Sequence, residues 1–518
     1  MPRSTARQRR LLRNFVPMDG RSRGTFDPSS VASLGSTASS MAPPPTSQQF
    51  GSAFPTTGPT RIDKDILFLI NRATNGFTVP AYQEALSMGY HGWLQWQLDH
   101  ENIDDTAVDT ALSAYPTLNL SNTELYENYI NDPGAVALEL QEALLVRAIY
   151  SRKQLFERMV EFWTDHFNIS QLDDLALWWK TADDRDTIRA HALGSFPEML
   201  QASSRSSCMM WYLDNYANIA GAAQENWARE LMELHTLGVD GPYTGNDVRE
   251  VARCFTGWTF HGVFTAGPVG QWTYVNAVHD QGSKVVLGQN IPANGGSADG
   301  QTVLNMLANH PKTAEFISTK MARHLLSYDP PQALIQRVTD VYMSTGGDIK
   351  SMVREILRPP SVAMVPEHKR PKLKRPYHLA VAMTRALQIN STNLLGITAE
   401  MQRMGQVPYW WPAPDGYPDE LNAWGSALLP RWEFNSRITG LNLDGNRALI
   451  QTIADLMATA PASATTVGQK IDWILTGGGM RPVDVNAVDS FWDSQAGGAL
   501  VLREAIALAA SSPGYQYY

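Results

Sequence analysis

QENWARELMELHTLGVDGPYTGNDVREVARCFTGWTF, residues 224–260, reads as a helix, a tight turn and a second helix. At about 100° per residue the first helix divides into two arcs. Trp227, Ala228, Leu231, Met232 and Leu234 make the apolar arc, with His235 among them; Asn226, Arg229, Glu230 and Glu233 make the other. Gly238 is placed to end the helix, because glycine reaches the left-handed C′ conformation without strain. Asp240-Gly241-Pro242 signals the turn. Thr244 is positioned as the N-cap of the second helix, with Asp247 three residues on, and Val248, Val251, Ala252 and Phe255 form its buried face.

The flanking sequence keeps the helical period. Short helices are expected from Arg61 to about Leu98, then a polar, broken stretch to Asn131. Helices are predicted over Pro133–Tyr150 and Gln154–Phe167, the second with Met159, Val160, Phe162, Trp163, Phe167 and His166 on one face. Residues 181–204 read as a helical pair broken at Gly194 and Pro197. Asp214, Asn215 and Asn218 suit loop fixing, since Asx side chains bond nearby backbone. The main non-helical part is Gly262–Asn294. There Gln271–Val275 and Lys284–Leu287 are expected to pair as a hairpin, with His279-Asp280 in the connection. Helices resume from Asp299. The basic run His368, Lys369, Arg370, Lys372, Lys374 and Arg375 reads as a solvated loop, with a site for an acidic partner as the alternative, and Gly405–Tyr417, rich in Pro and Trp, as an ordered loop laid over the body. The expected fold is mainly α: a large multi-helix orthogonal bundle with a minor β-hairpin element. Residues 61–518 form one large helical domain, divided into an N-terminal cap (61–130), a core (131–440) and C-terminal helices (441–518).

Composition narrows the function. The chain has 518 residues, 43% hydrophobic and 18% charged, with a net charge of −9, which argues against a nucleic-acid binder. Two cysteines make no disulfide framework; two buried thiols are expected. No stretch is long and apolar enough to span a bilayer. Residues 1–60 hold seven arginines against Asp19 and Asp27, then turn to Ser, Thr, Ala, Pro and Gly. That composition fits a disordered tail, and equally a targeting segment for extracytoplasmic export or an organelle.

The chemistry centres on carboxylates. Glu230 and Glu233 lie three apart and stand close enough to repel unless an arginine, a shared proton or a cation intervenes. Arg229 and Arg249 are candidates for a structural ion network. A divalent metal (Fe, Mn or Zn) is the sharper alternative, since helical bundles hold such ions with inward carboxylates and histidines. His235 is a poor co-ligand for Glu230: five residues apart, the two point about 140° away from one another. There is no GxSxG elbow, HExxH, Walker loop or GxGxxG after a strand.

The motif ARELMELHTLGVDG followed by YTGNDVREVARCFTGW resembles the signature of the bacterial family called domain of unknown function 1800. LINRATNGF, FWTDHF, YLDN, HDQGSKVVLG, HPKTAEFISTKMARHLLS and GQVPYWWPAPDGYP agree, together covering roughly residues 62–440. The resemblance implies that His166 and His279 match positions usually held by histidine, whereas the His235 position is often Phe. The ligand set expected for the metal is therefore His166, Glu230, Glu233 and His279, with Glu230, Glu233, Arg229 and Asp280 as the groups acting on substrate or beside it. The functional expectation is a metal-dependent hydrolase or oxidase acting on an extracytoplasmic polymer or envelope component. Two rivals stand beside it. One is a non-enzymatic binding or assembly partner of a sulfatase-like protein of the family domain of unknown function 1501, which the resemblance suggests. The other is a carbohydrate-binding or carbohydrate-cleaving protein using Trp410, Trp411 and Trp424.

Overall fold

The Thr244 cap forms as a capping box: Thr244 Oγ1 accepts the Asp247 N–H at 3.3 Å, and Asp247 Oδ2 accepts the Thr244 N–H at 2.8 Å. The helix it opens spans Gly245–Cys254 and buries Val248, Val251 and Ala252. Before the turn, Gly238 has φ +85°, and a Cβ there would meet the Phe316 ring at 3.0 Å, so both conformation and packing call for glycine. This computed structural model describes Pro59 and residues 62–518, apart from 441, 442, 444, 445 and 447. The expected tail or targeting segment, residues 1–60, lies outside the described residues except for Pro59.

The architecture is mainly α, with two small antiparallel strand pairs. The Pro133–Tyr150 helix is buried along most of its length and packs on Ala176–Asp183, Pro376–Ala386 and Leu394–Arg403. The helices Pro311–Leu325, Gln332–Thr345 and Ile349–Leu357 pack on one another, as do Leu428–Thr439, Val467–Thr476, Pro482–Asp493 and Ala499–Ser511. One buried hydrophobic cluster runs from Ile66 to Tyr515 and draws on all three expected sections of the chain. Both cysteines are buried and free. No helix among the described residues is long and apolar enough to cross a membrane.

Three expectations need correction. The two β segments are strands, but they do not pair with each other. Trp272–Tyr274 pairs with Trp258–Phe260, and Lys284–Val286 pairs with Gln289–Ile291 across a two-residue turn. That turn holds Leu287 at φ +49° and Gly288 at +75°, the geometry of a primed hairpin turn, and leucine in it gives no turn signal in the sequence. Second, the helix from Glu225 does not keep the α period: it passes into a π-helical stretch, Leu231–Thr236. Third, the basic run is a solvated loop only in its first half, where His368 and Lys369 are exposed. Lys372, Lys374 and Arg375 are buried, because residues 372–374 run antiparallel beside the last residues, with Leu373 bridged to Tyr517. The Asx reading holds. Asn218 accepts the Gln224 N–H at 3.0 Å and donates to Ala252 O at 2.9 Å, while Asn215 donates to Trp258 O at 3.2 Å, so the loop ties the start of the first helix to the end of the second and to the strand after it.

Candidate active site

The Gln154–His166 helix ends in Asp165 and His166. Its apolar face drives His166 into the core among Trp163, Phe167, Phe196 and His235. His166 Nε2 lies 3.2 Å from the His235 carbonyl oxygen. A carbonyl only accepts, so Nε2 carries the proton and Nδ1 keeps its lone pair. Lys320 Nζ, from the Pro311–Leu325 helix, stands 3.0 Å from Nδ1 and donates to it. Burial, then the Lys320 and His235 charges, hold His166 well below the usual histidine range, so the ring is neutral. Lys320 is half-buried over the Phe316 ring. Burial lowers its ammonium to about 8, although Asp165 and Asp415 support the charge.

Asp165 Oδ2 accepts from Arg375 at 2.7 Å, and its Oδ1 accepts the Tyr417 N–H at 3.4 Å. Burial nonetheless raises the carboxyl to about 6. Across this helix end lies the Pro- and Trp-rich loop, ordered as expected. Asn168 donates to the Trp411 and Ala413 carbonyls at 3.0 and 2.6 Å, and the Gln171 N–H donates to Tyr409 O at 2.7 Å. Gly416 lets the loop close: its φ is +75°, and a Cβ there would stand 2.0 Å from the Asp165 carbonyl oxygen. The loop presents the exposed Asp415, whose Oδ1 accepts from Trp411 Nε1 at 2.7 Å. Gly416→Ala is expected to lift the loop from the helix and destabilise the chain by about 1–3 kcal/mol, with faster proteolysis within residues 405–420; chemical denaturation and limited proteolysis check it.

The 225–236 helix joins this region through electrostatics. Glu230 is half-buried, and burial, then Glu233, raise its pKa; Arg229 opposes and Asp415 adds to the rise. Asp415 thus acts electrostatically on both Glu230 and Lys320. The π stretch beneath shows in the Leu237 N–H bonding Met232 O at 2.9 Å and the Thr236 hydroxyl bonding Leu231 O at 2.6 Å. Such insertions recur at functional sites. His235 is fully buried on the apolar arc; burial, then Lys320, lower it to about 3, so the ring is neutral, and neither ring nitrogen has a partner among the described residues.

The expected site residues fall in two places. His166, Glu230, Glu233 and Arg229 belong to this region; Arg229 is exposed and bridges Glu225 at 3.4 Å and Glu233 at 3.3 Å. Arg249, the other candidate, bonds Asn246 instead. His279 and Asp280 stand in a separate network under the strand pairs. His279 Nδ1 lies 2.7 Å from Thr256 O, and Nε2 lies 3.2 Å from Asp299, which Lys284 also meets at 2.6 Å. Asp280 holds Arg253 at 2.8 Å, a bond that depresses its carboxyl to about 2. The expected metal set is therefore not gathered. His279 Nδ1 and Nε2 both lie against oxygens, and His166 meets a carbonyl at Nε2 and the Lys320 ammonium at Nδ1. Among the described residues no group of three or more His, Cys, Asp or Glu could hold a metal ion. Of the tryptophans expected for sugars, Trp424 is buried with its Nε1 on Pro418 O at 2.8 Å, and Trp411 packs on Tyr417. Both tie down the loop.

Sequence reasoning missed Lys320. Its signal was a lysine four residues after Phe316 and three after Ile317, on the edge of an apolar helix face where a charge is costly.

The family model described as Protein of unknown function (DUF1800) matches residues 68–517. It reaches beyond the segments that carry the resemblance, through the C-terminal helices. No curated protein and no solved structure matches the chain.

Proposed function

We propose that this chain, which belongs to the DUF1800 family, is an enzyme that cleaves an extracytoplasmic polymer or envelope component by acid–base chemistry at the Lys320 cleft. One observation carries the reading: an ammonium donating at 3.0 Å to a neutral buried histidine, with Asp415 acting electrostatically on both that ammonium and Glu230. A lysine lowered to about 8 supplies a usable fraction of free amine near neutral pH. A glutamic acid raised by burial and by a second carboxylate keeps its proton more readily than a surface one. Both shifts bring a pKa nearer the working pH, where a general acid or base is most effective. In this reading Lys320 removes a proton from water, Glu230 protonates the leaving group, and His166 Nδ1 orients the amine. Asp165, fixed by Arg375, supports the ammonium. Of the ligands expected for a divalent ion, Glu230 and Glu233 remain in this region, and Glu233 is already against Arg229; no step here passes through a metal.

The test is product release from chromogenic esters, amides and glycosides and from isolated envelope polymer, comparing the full chain with Glu230→Gln. Turnover on one class, reduced about 100-fold or more in a folded Glu230→Gln variant, is the expected result. No turnover on any class, or equal turnover in the variant, would overturn the proposal.

A second reading, a binding or assembly role beside a sulfatase-like protein, draws on a different surface. Leu428, Leu429 and Trp432 are exposed at helical spacing, and Trp432 and Leu508 wall an apolar cavity of about 380 Å³. Co-purification of the two proteins, lost in Leu429→Asp with Trp432→Ser, would favour it.

A further inference from the structure

Six cations are buried where the first helix, the 372–375 segment and the last residues meet: Arg72, Arg158, Lys372, Lys374, Arg375 and Arg431. Three are matched by carboxylates. Arg158 meets Glu161 at 2.6 Å, Arg375 meets Glu161 and Asp165, and Lys372 meets Asp419 at 2.6 Å. The other three have no carboxylate within ion-pair distance among the described residues. Arg431 bonds the Lys374 carbonyl and the Gln516 side chain. Arg72 bonds the Arg370 carbonyl, lies over the Phe68 and Tyr518 rings, and leaves Nε and Nη1 without a partner. Lys374 bonds the Tyr515 and Tyr517 carbonyls and sits 4.2 Å from the centre of the Tyr515 ring. Carbonyls and ring faces offer partial negative charge, and a buried cation is stable only when the compensation is complete. Burial, then Arg72 and Arg431, accordingly push the Lys374 ammonium down to about 7.

A cavity of about 120 Å³ adjoins this lysine, lined also by Asn71, Gly479, Tyr515, Tyr517 and Tyr518. Its volume is that of about four waters, enough for a small tetrahedral oxyanion and little more. Gly479 and Tyr517 are exposed, which gives the cavity a path to solvent. Tyr515 is buried, and its hydroxyl has no partner among the described residues. Asp484 reaches the Gly514 wall through the Gly514 N–H at 3.0 Å, but Arg481 already holds it through two hydrogen bonds of 2.8 and 2.7 Å. We propose that this cavity is an anion site for a small oxyanion of the phosphate or sulfate class, held by Lys374 and the Tyr515 hydroxyl, with Arg72 supplying unneutralised positive field. The site is apart from the Lys320 cleft and does not rest on the function proposed there.

Calorimetric titration of the full chain in an anion-poor buffer with inorganic phosphate, then sulfate, tests this, with chloride as the control. Saturable binding near one ion per chain is expected, weakened at least tenfold in Lys374→Met. If Lys374→Met does not fold, Tyr515→Phe keeps the ring against the lysine and removes only the hydroxyl, and a several-fold loss there serves instead. No saturable binding of either ion by the unmodified chain, or unchanged affinity in the folded variant, would overturn the assignment. Competition by glycerol 3-phosphate then separates two sources: displacement makes the ligand a terminal phosphate group whose organic part leaves past Gly479, and exclusion makes it the free ion.

Discussion

Replacing Glu161 with glutamine destabilises the chain by about 3–5 kcal/mol, the cost of leaving buried charges without their counter-ion. The carboxylate stands between Arg158 at 2.6 Å and Arg375, with His378 Nε2 at 3.3 Å. Burial pulls its pKa upward, yet Arg375 and then Arg158 overcome that and hold it at about 2. A carboxyl depressed in the folded state contributes stability above its unfolded pKa of about 4.3. That contribution is lost as the pH falls through about 2. The loss in Glu161→Gln is therefore full at pH 7 and shrinks on acidification. Glutamine keeps the size of the side chain but leaves one neutral oxygen and turns an amide NH2 toward the other arginine, so the variant removes the charge and one hydrogen bond together. Urea denaturation at pH 7 should show a lower midpoint with an unchanged slope; a loss below about 1 kcal/mol would mean that the arginines are satisfied elsewhere. Because Arg375 also holds Asp165, the variant should disturb the Lys320 cleft as well.

Lys320→Met is expected to abolish turnover, by about 100-fold or more, while the fold survives. Methionine fills the same volume over Phe316 and removes a charge whose burial is unfavourable. Lys320→Arg should be equally inactive, since a guanidinium stays protonated and cannot serve as a base; activity in the arginine variant would reduce the role of Lys320 to its charge. Stability gives an independent readout. A cation with a lowered folded pKa binds its proton more tightly in the unfolded chain. The folded state therefore gains as the pH rises between about 8 and the unfolded value near 10.4, by up to about 3 kcal/mol. Lys320→Met should flatten that rise, as followed by melting temperature from pH 7.5 to 10.

Periodicity carried most of the fold. The helix Pro133–Tyr150 has the predicted ends, and Gln154–His166 differs by one residue. The Thr244 cap and Gly238 fall where the turn chemistry puts them. Local chemistry did not reveal which strand pairs with which, because a hairpin through Leu287 and Gly288 looks like continuous strand in sequence. It also missed the π stretch at Leu231–Thr236, since a constant 100° per residue cannot show an inserted residue. The site was half legible. Glu230, Glu233 and His166 were read from their helix faces, but Lys320 and Asp415 reach the cleft from segments about 90 to 250 positions away in sequence, and their meeting is a property of packing alone. The Lys372–Arg375 run was misread for a related reason: charge suggests solvent, and only the return of the chain's last residues buries it.

The most direct test of the central claim is the titration of the Lys320 amine itself. Trace labelling of the folded chain with acetic anhydride from pH 6 to 11, with the Lys320 peptide quantified by mass spectrometry, reports its protonation. A midpoint near 8 is expected for Lys320, against about 10.4 for an unperturbed lysine side chain. A midpoint for Lys320 indistinguishable from that of the exposed lysines would contradict the acid–base site.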